Sequence, residues 1–115
     1  MKTYFVLFGI PATAIQDWVA TVSEDERKKQ TETLMKAWKT WMTTHAAVLT
    51  NTGSSLGKTK RVTAQGTQDT KNDLNWYLTV QAHSHAAAAE LFENHPHLQI
   101  PTSYIEVMST SGPEK

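Results

Sequence analysis

The sequence contains no cysteine. This excludes a disulfide framework, a thiolate zinc site and a cysteine nucleophile. It also suits a reducing compartment, so a cytoplasmic location is expected. Net charge is lacking too, with Lys and Arg numbering 11 and Asp and Glu 11. Without a basic surplus, no nucleic-acid partner is expected. No apolar run approaches the roughly 20 residues that cross a bilayer, so no membrane partner is expected either. The chain has no internal repeat, no Gly-rich phosphate loop, no Ser/His/Asp order and no metalloprotease motif. What remains is 115 residues, enough for one domain with one modest core. That domain is placed at residues 1–110, with 111–115 as a frayed tail.

Met1 to Ala14 pairs a single Lys with a short apolar run, and Ala12-Thr13-Ala14 loosely mimics a secretion cleavage site. The run is short for a signal peptide and Pro11 follows it, so the segment reads as a first strand over Thr3–Phe8. Tyr4, Val6 and Phe8 lie on one face of that strand and Phe5 and Leu7 on the other, so both faces need cover. Pro11 suits the first turn of a short helix through Trp18 and Val19. Ser23-Glu24-Asp25-Glu26 is a capping box, and it opens a long helix to about His45. Leu34, Trp38, Trp41, Met42 and His45 share one side of that helix at spacings of three and four.

Asn51–Gly57 reads as a turn-rich loop. Lys58–Gln65 reads as an edge strand, blunted by Lys58, Lys60 and Arg61, and Gly66–Asn72 as a polar connection. Leu74–Ala82 alternates, with Trp76, Leu78 and Val80 on one face and Tyr77 and Thr79 on the other. Ser84 caps a second helix over His85–Asn94, which Pro96 stops. Tyr104–Met108 is the last strand. Two crossovers with an antiparallel pair between them predict an α+β, ferredoxin-like βαββαβ fold. Its four-stranded antiparallel sheet carries both main helices on one face. The other sheet face is then left apolar and wet, and a homodimer closed back to back as an α+β barrel would cover it.

In this order of elements the chain resembles the YCII-related family of dimeric α+β barrels. The likeness also rests on Gly53-Ser54-Ser55-Leu56-Gly57 after the long helix and on Asn94-His95-Pro96-His97 after the second. The last segment stands where the family has an Asp-Pro-aromatic motif. Family members thought to be catalytic pair a His on the long helix with that Asp. Here His95 replaces the Asp, and Lys36–Trp38 occupy the region of the family His without supplying one. The resemblance therefore implies fold and dimer and transfers no catalytic residue.

Two groups of side chains remain as candidates for chemistry. His95 and His97 flank Pro96 and are candidate acid/base residues, since an unperturbed imidazole titrates near neutrality; they are expected at the mouth of a cleft. Trp38, Met42, His45, Trp76 and Tyr77 are candidate lining for an apolar small-molecule pocket. The same aromatic stripe also reads as ordinary core. His45, His83 and His85 are brought towards one end by the topology, but polar helix ends account for all three. Neither a metal nor another cofactor is expected. The function expected is binding of a small organic molecule; the alternative is a cofactor-independent enzyme using His95 or His97.

Overall fold

The computed structural model describes residues 1–110; the C-terminal segment 111–115, read above as a tail, lies outside the described residues. The elements are β1 (Lys2–Gly9), α1 (Ala12–Thr21), α2 (Glu24–Thr44), β2 (Leu49–Ser55), β3 (Thr59–Thr63), β4 (Gly66–Thr70), β5 (Leu74–Ala82), α3 (His85–Glu90) and β6 (Tyr104–Ser109), with a 3-10 turn at Pro96–Gln99 before β6. The protein is α+β. Four strands form an antiparallel sheet in the order β2-β5-β1-β6, and β3 and β4 pair only with each other. Each helical crossover skips one strand: α1–α2 carries β1 to β2 past β5, and α3 carries β5 to β6 past β1.

Strand alternation decides what the sheet buries. Tyr4, Val6 and Phe8 of β1 and Leu78 and Val80 of β5 are fully enclosed, and Trp41 of α2 with Ala88 and Phe92 from the α3 region closes the same core. Both main helices therefore pack on one sheet face. The opposite face carries Phe5, Leu7, Tyr77, Thr79 and Met108. Phe5 stacks on Tyr77 at 5.9 Å between ring centres, and the pairing sets Phe5 beside Thr79 and Met108. Among the described residues no element covers this face, and the molecule is 20 Å thick along its shortest axis.

The region between α2 and β5 departs from the sequence reading. Residues read as the Asn51–Gly57 loop form the edge strand β2. The segment read as the edge strand, Lys58–Gln65, is instead half of a separate hairpin whose other half is the supposed connection. Asn, Gly and Ser disfavour strands, but β5 offers β2 a free edge with unpaired backbone groups. The pairing is irregular, with register shifts between Leu49 and Asn51 and between Asn51 and Ser54. Gly53 sits in one shift at φ 78°, where a Cβ would collide with the Tyr77 carbonyl oxygen. Asn51 Oδ1 accepts from the Gly53 backbone N–H at 2.8 Å, fixing the bulge.

The second helix is also shorter than its periodicity predicted. It stops at Glu90, and Pro96 opens a 3-10 turn rather than closing an α-helix.

The Ser23 cap forms as the sequence predicts, its Oγ accepting from Glu26 N–H at 3.2 Å. Ser23→Ala is expected to lower stability by about 1 kcal/mol. An unchanged urea midpoint would mean that the cap contributes nothing to this helix end. That end is peripheral. Trp38 is level with Phe8 in the core, so the turns from Glu24 onward run about 20 Å beyond it. The helix α1 accompanies them, tied on by Trp18 Nε1 donating to Gln30 Oε1 at 2.6 Å and by Arg27 donating to the Val19 and Val22 carbonyls.

Candidate functional site

Under α2 the structure gathers rings around one imidazole. His95 precedes Pro96 with extended backbone and acts as the cap of the 3-10 turn, its Nδ1 accepting the His97 N–H at 3.0 Å. That cap turns the ring inwards. Its centre lies 4.5 Å from Trp38, 4.5 Å from Trp41 and 5.0 Å from Phe8. Only 1% of His95 is exposed. Because Nδ1 accepts, the proton of the neutral ring resides on Nε2. Among the described residues Nε2 has no hydrogen-bond partner, and the ring stands at 82° to Trp38, edge to face. A π-face is a weak acceptor for such an N–H.

Burial, with smaller contributions from the imidazoles of His97 and His45, lowers the His95 pKa to about 3. Neutral His95 is thus the resident form at physiological pH. His97 is pinned beside it. Its Nε2 donates to the Gly9 carbonyl at 2.9 Å, and its own carbonyl accepts from Ser103 Oγ at 2.8 Å. Burial lowers the His97 pKa as well, against hydrogen bonds to the backbone of Gly9 and Tyr104.

The expectation that the Asn94–His97 segment lines a cleft mouth is corrected. Both imidazoles are buried against aromatic side chains, because the cap at His95 and the bond to Gly9 draw them under the helix layer. His95→Ala is accordingly a core truncation, not a surface change.

Of the expected pocket residues, Trp38, Met42 and Trp76 come together at the edge of the core, half-buried, with Trp38 and Trp76 edge to face at 5.6 Å. His45 stacks on Trp41 at 4.2 Å and bonds through Nδ1 to the Trp41 carbonyl. Tyr77 is not among them, since alternation puts it on the uncovered sheet face. Sequence reasoning left Trp41 and Phe8 out of the site. The signal was present, as Trp41 follows Trp38 by three on the same helix face and Phe8 closes the Tyr4-Val6-Phe8 alternation.

Elsewhere, His85 stacks on Tyr4 at 5.2 Å and its Nε2 bonds to the Val107 carbonyl, while His83 is exposed. Among the described residues no group of three or more His, Asp or Glu is placed to hold a metal ion. Two surface depressions lie away from the aromatic cluster, one along Lys36, Thr40 and Thr44 and one at the hairpin root by Lys58 and Lys71. At the start of β6, Tyr104 lies across Gly9 and reaches Asp73 Oδ2 at 3.5 Å. Desolvation and the charges of Asp73 and Glu106 raise its pKa. No protein-family model matches the sequence, and no curated protein matches it.

Proposed function

We propose that the chain is the protomer of a homodimer that binds a small, largely apolar organic molecule at the aromatic cluster of α2 and the sheet. One observation carries this reading: the enclosed N–H of His95, a donor without a conventional acceptor among the rings of Trp38, Trp41 and Phe8. An unsatisfied buried donor is costly. A ligand atom with a lone pair, reaching it past the half-buried Trp38, Met42 and Trp76, would supply the missing bond while its apolar body stacks on indole. This is the pattern of small-molecule sites, mostly aromatic with a few fixed polar groups.

The ferredoxin-like reading belongs with this proposal. An antiparallel four-stranded sheet with both main helices on one face supports it, once the β3–β4 hairpin is set aside. The likeness to YCII-related proteins and the barrel dimer stand on the same footing. Acid/base catalysis by His95 or His97 has less support, because burial lowers the pKa of both, that of His95 to about 3, and an imidazole so held is a poor proton carrier at neutrality.

Indole emission provides the test. Titration with a panel of aromatic ketones, amides and carboxylates should quench tryptophan fluorescence saturably for at least one class. Trp76→Ala should weaken that binding at least tenfold while the fold persists by circular dichroism. If no class binds below millimolar concentration, or if Trp76→Ala binds equally well, the cluster is core alone.

A further inference from the structure

We infer that the β3–β4 hairpin is an arm that clasps a second copy of this chain along its β6 edge and uncovered sheet face. The inference rests on the homodimer reading above and names the surface and the device that close it.

The first argument is area. A folded monomer of 12.9 kDa is expected to expose about 6,300 Å², whereas this chain exposes 8153 Å². Assigning residues 111–115 their whole extended-chain area removes about 700 Å² of the excess. Roughly 1,100 Å² remains, more than the ~800 Å² that one partner contributes to a stable interface of ordinary size. The radius of gyration, 16.1 Å, likewise exceeds the about 13 Å of a compact chain this long.

The second argument is the exposure of the arm itself. Arm residues from Lys60 to Asp69 are all exposed, and Val62 is 74% exposed. The hairpin holds itself by five backbone pairs and the exposed Lys60–Asp69 ion pair. An isolated two-stranded hairpin is marginal in water, so a neighbouring surface accounts for its order. Its own sheet does not supply one, because β3 and β4 pair only with each other.

The third argument is charge. The arm and its root carry Lys58, Lys60, Arg61 and Lys71 against Asp69, whereas from Asn72 to Thr110 the sequence has no Lys or Arg at all. That stretch carries exposed Asp73, Glu90, Glu93 and Glu106. Glu106 lies opposite Leu7 on the uncovered face, two residues from Met108, which is 37% exposed. Both the arm root and the start of β6 lie at the end of the sheet where β1 finishes. A two-fold axis along the strand direction, with the open faces together, lays the β2 edge of one copy over the β6 edge of the other. The cationic arm then meets the β6 edge that carries Glu106, twice per dimer, as an isologous interface requires.

Sedimentation of the whole chain at about 10 µM tests this alongside two variants. One replaces Lys58–Lys71 with a two-residue Asn-Gly turn. The other is the double substitution Lys58→Glu, Arg61→Glu, with and without Glu106→Lys. Wild type should run at twice 12.9 kDa. The arm-shortened chain should dissociate at least a hundredfold more readily, and the double substitution at least tenfold, with Glu106→Lys restoring most of the loss. A dimeric wild type whose shortened chain and charge variants associate equally well overturns the arm and leaves the dimer standing. A monomeric wild type overturns both. Should the shortened chain not fold, the charge variants decide, since Lys58 and Arg61 are exposed. Retention of the arm by polyanions such as heparin, with no effect of any variant on mass, would also count against a second copy as the occupant.

Discussion

Trp41→Ala is expected to cost about 3–5 kcal/mol, the usual effect of deleting a buried indole. Trp41 is 8% exposed and touches three rings at once: Phe92 at 5.1 Å, His95 at 4.5 Å and His45 at 4.2 Å. The deletion opens a cavity in the only core a chain this size supports, whose total stability is of order 5–15 kcal/mol. Trp38→Ala should cost less, because Trp38 is half-buried at the rim. Urea unfolding at one fixed protein concentration checks the order, concentration being held because any association would add to stability. If Trp38→Ala proves the more damaging, α2 is seated on the sheet about one turn away from the described register.

Acidification is expected to destabilise the fold from about pH 6.5 downward. Above that value His95 is neutral in both the folded and the unfolded chain, and its contribution is independent of pH. Below it the unfolded chain takes up a proton that the folded chain, with its His95 pKa near 3, refuses. Stability therefore falls by roughly 1.4 kcal/mol per pH unit for this residue until about pH 3. His97, lowered by burial in the same direction, steepens the fall. The neighbouring titratable groups that act on His95 are the imidazoles of His97 and His45.

The variant that isolates the effect is His95→Asn. Asn keeps a side-chain acceptor for the His97 N–H and serves well as a cap, but it does not titrate. Its unfolding free energy, lower than wild type at pH 7, should depend on pH between 6 and 4 with a slope smaller by about one proton. Equal slopes would mean that His95 is protonated in the folded protein and is not held neutral by burial.

Where periodicity ran cleanly, sequence and structure agree. The alternation of Tyr4, Val6 and Phe8 and of Trp76, Leu78 and Val80 places β1, β5 and their buried faces. The Ser23 and Ser84 caps start α2 and α3 as read. Where local chemistry is indifferent, tertiary pairing decided. Lys58–Gln65 has better strand residues than Asn51–Gly57, yet β5 takes Leu49–Ser55 as its neighbour. That segment leaves α2 beside the open edge, and Gly53 can accept the close approach of Tyr77.

The candidate site divides along the same line. That Trp38, Met42 and Trp76 belong together follows from helix and strand periods and is legible in the sequence. That His95 and His97 are interior is not, because Asn94-His95-Pro96-His97 looks polar and turn-like. Their burial depends on a cap that folds the His95 ring back and on a bond from His97 to Gly9, 88 residues away.

Legible in the residues alone are the elements with strong local signals, the two-sided apolar character of β1 and the concentration of cationic residues in Lys58–Lys71. These are properties of short segments, set by residue spacing and side-chain chemistry. Contacts between distant segments settle which one completes the sheet, that the hairpin stands apart from it, and that an unpartnered imidazole N–H is buried beside indoles. Each of these depends on groups distant in the chain competing for the same backbone edge or the same buried volume, and no local window contains that competition.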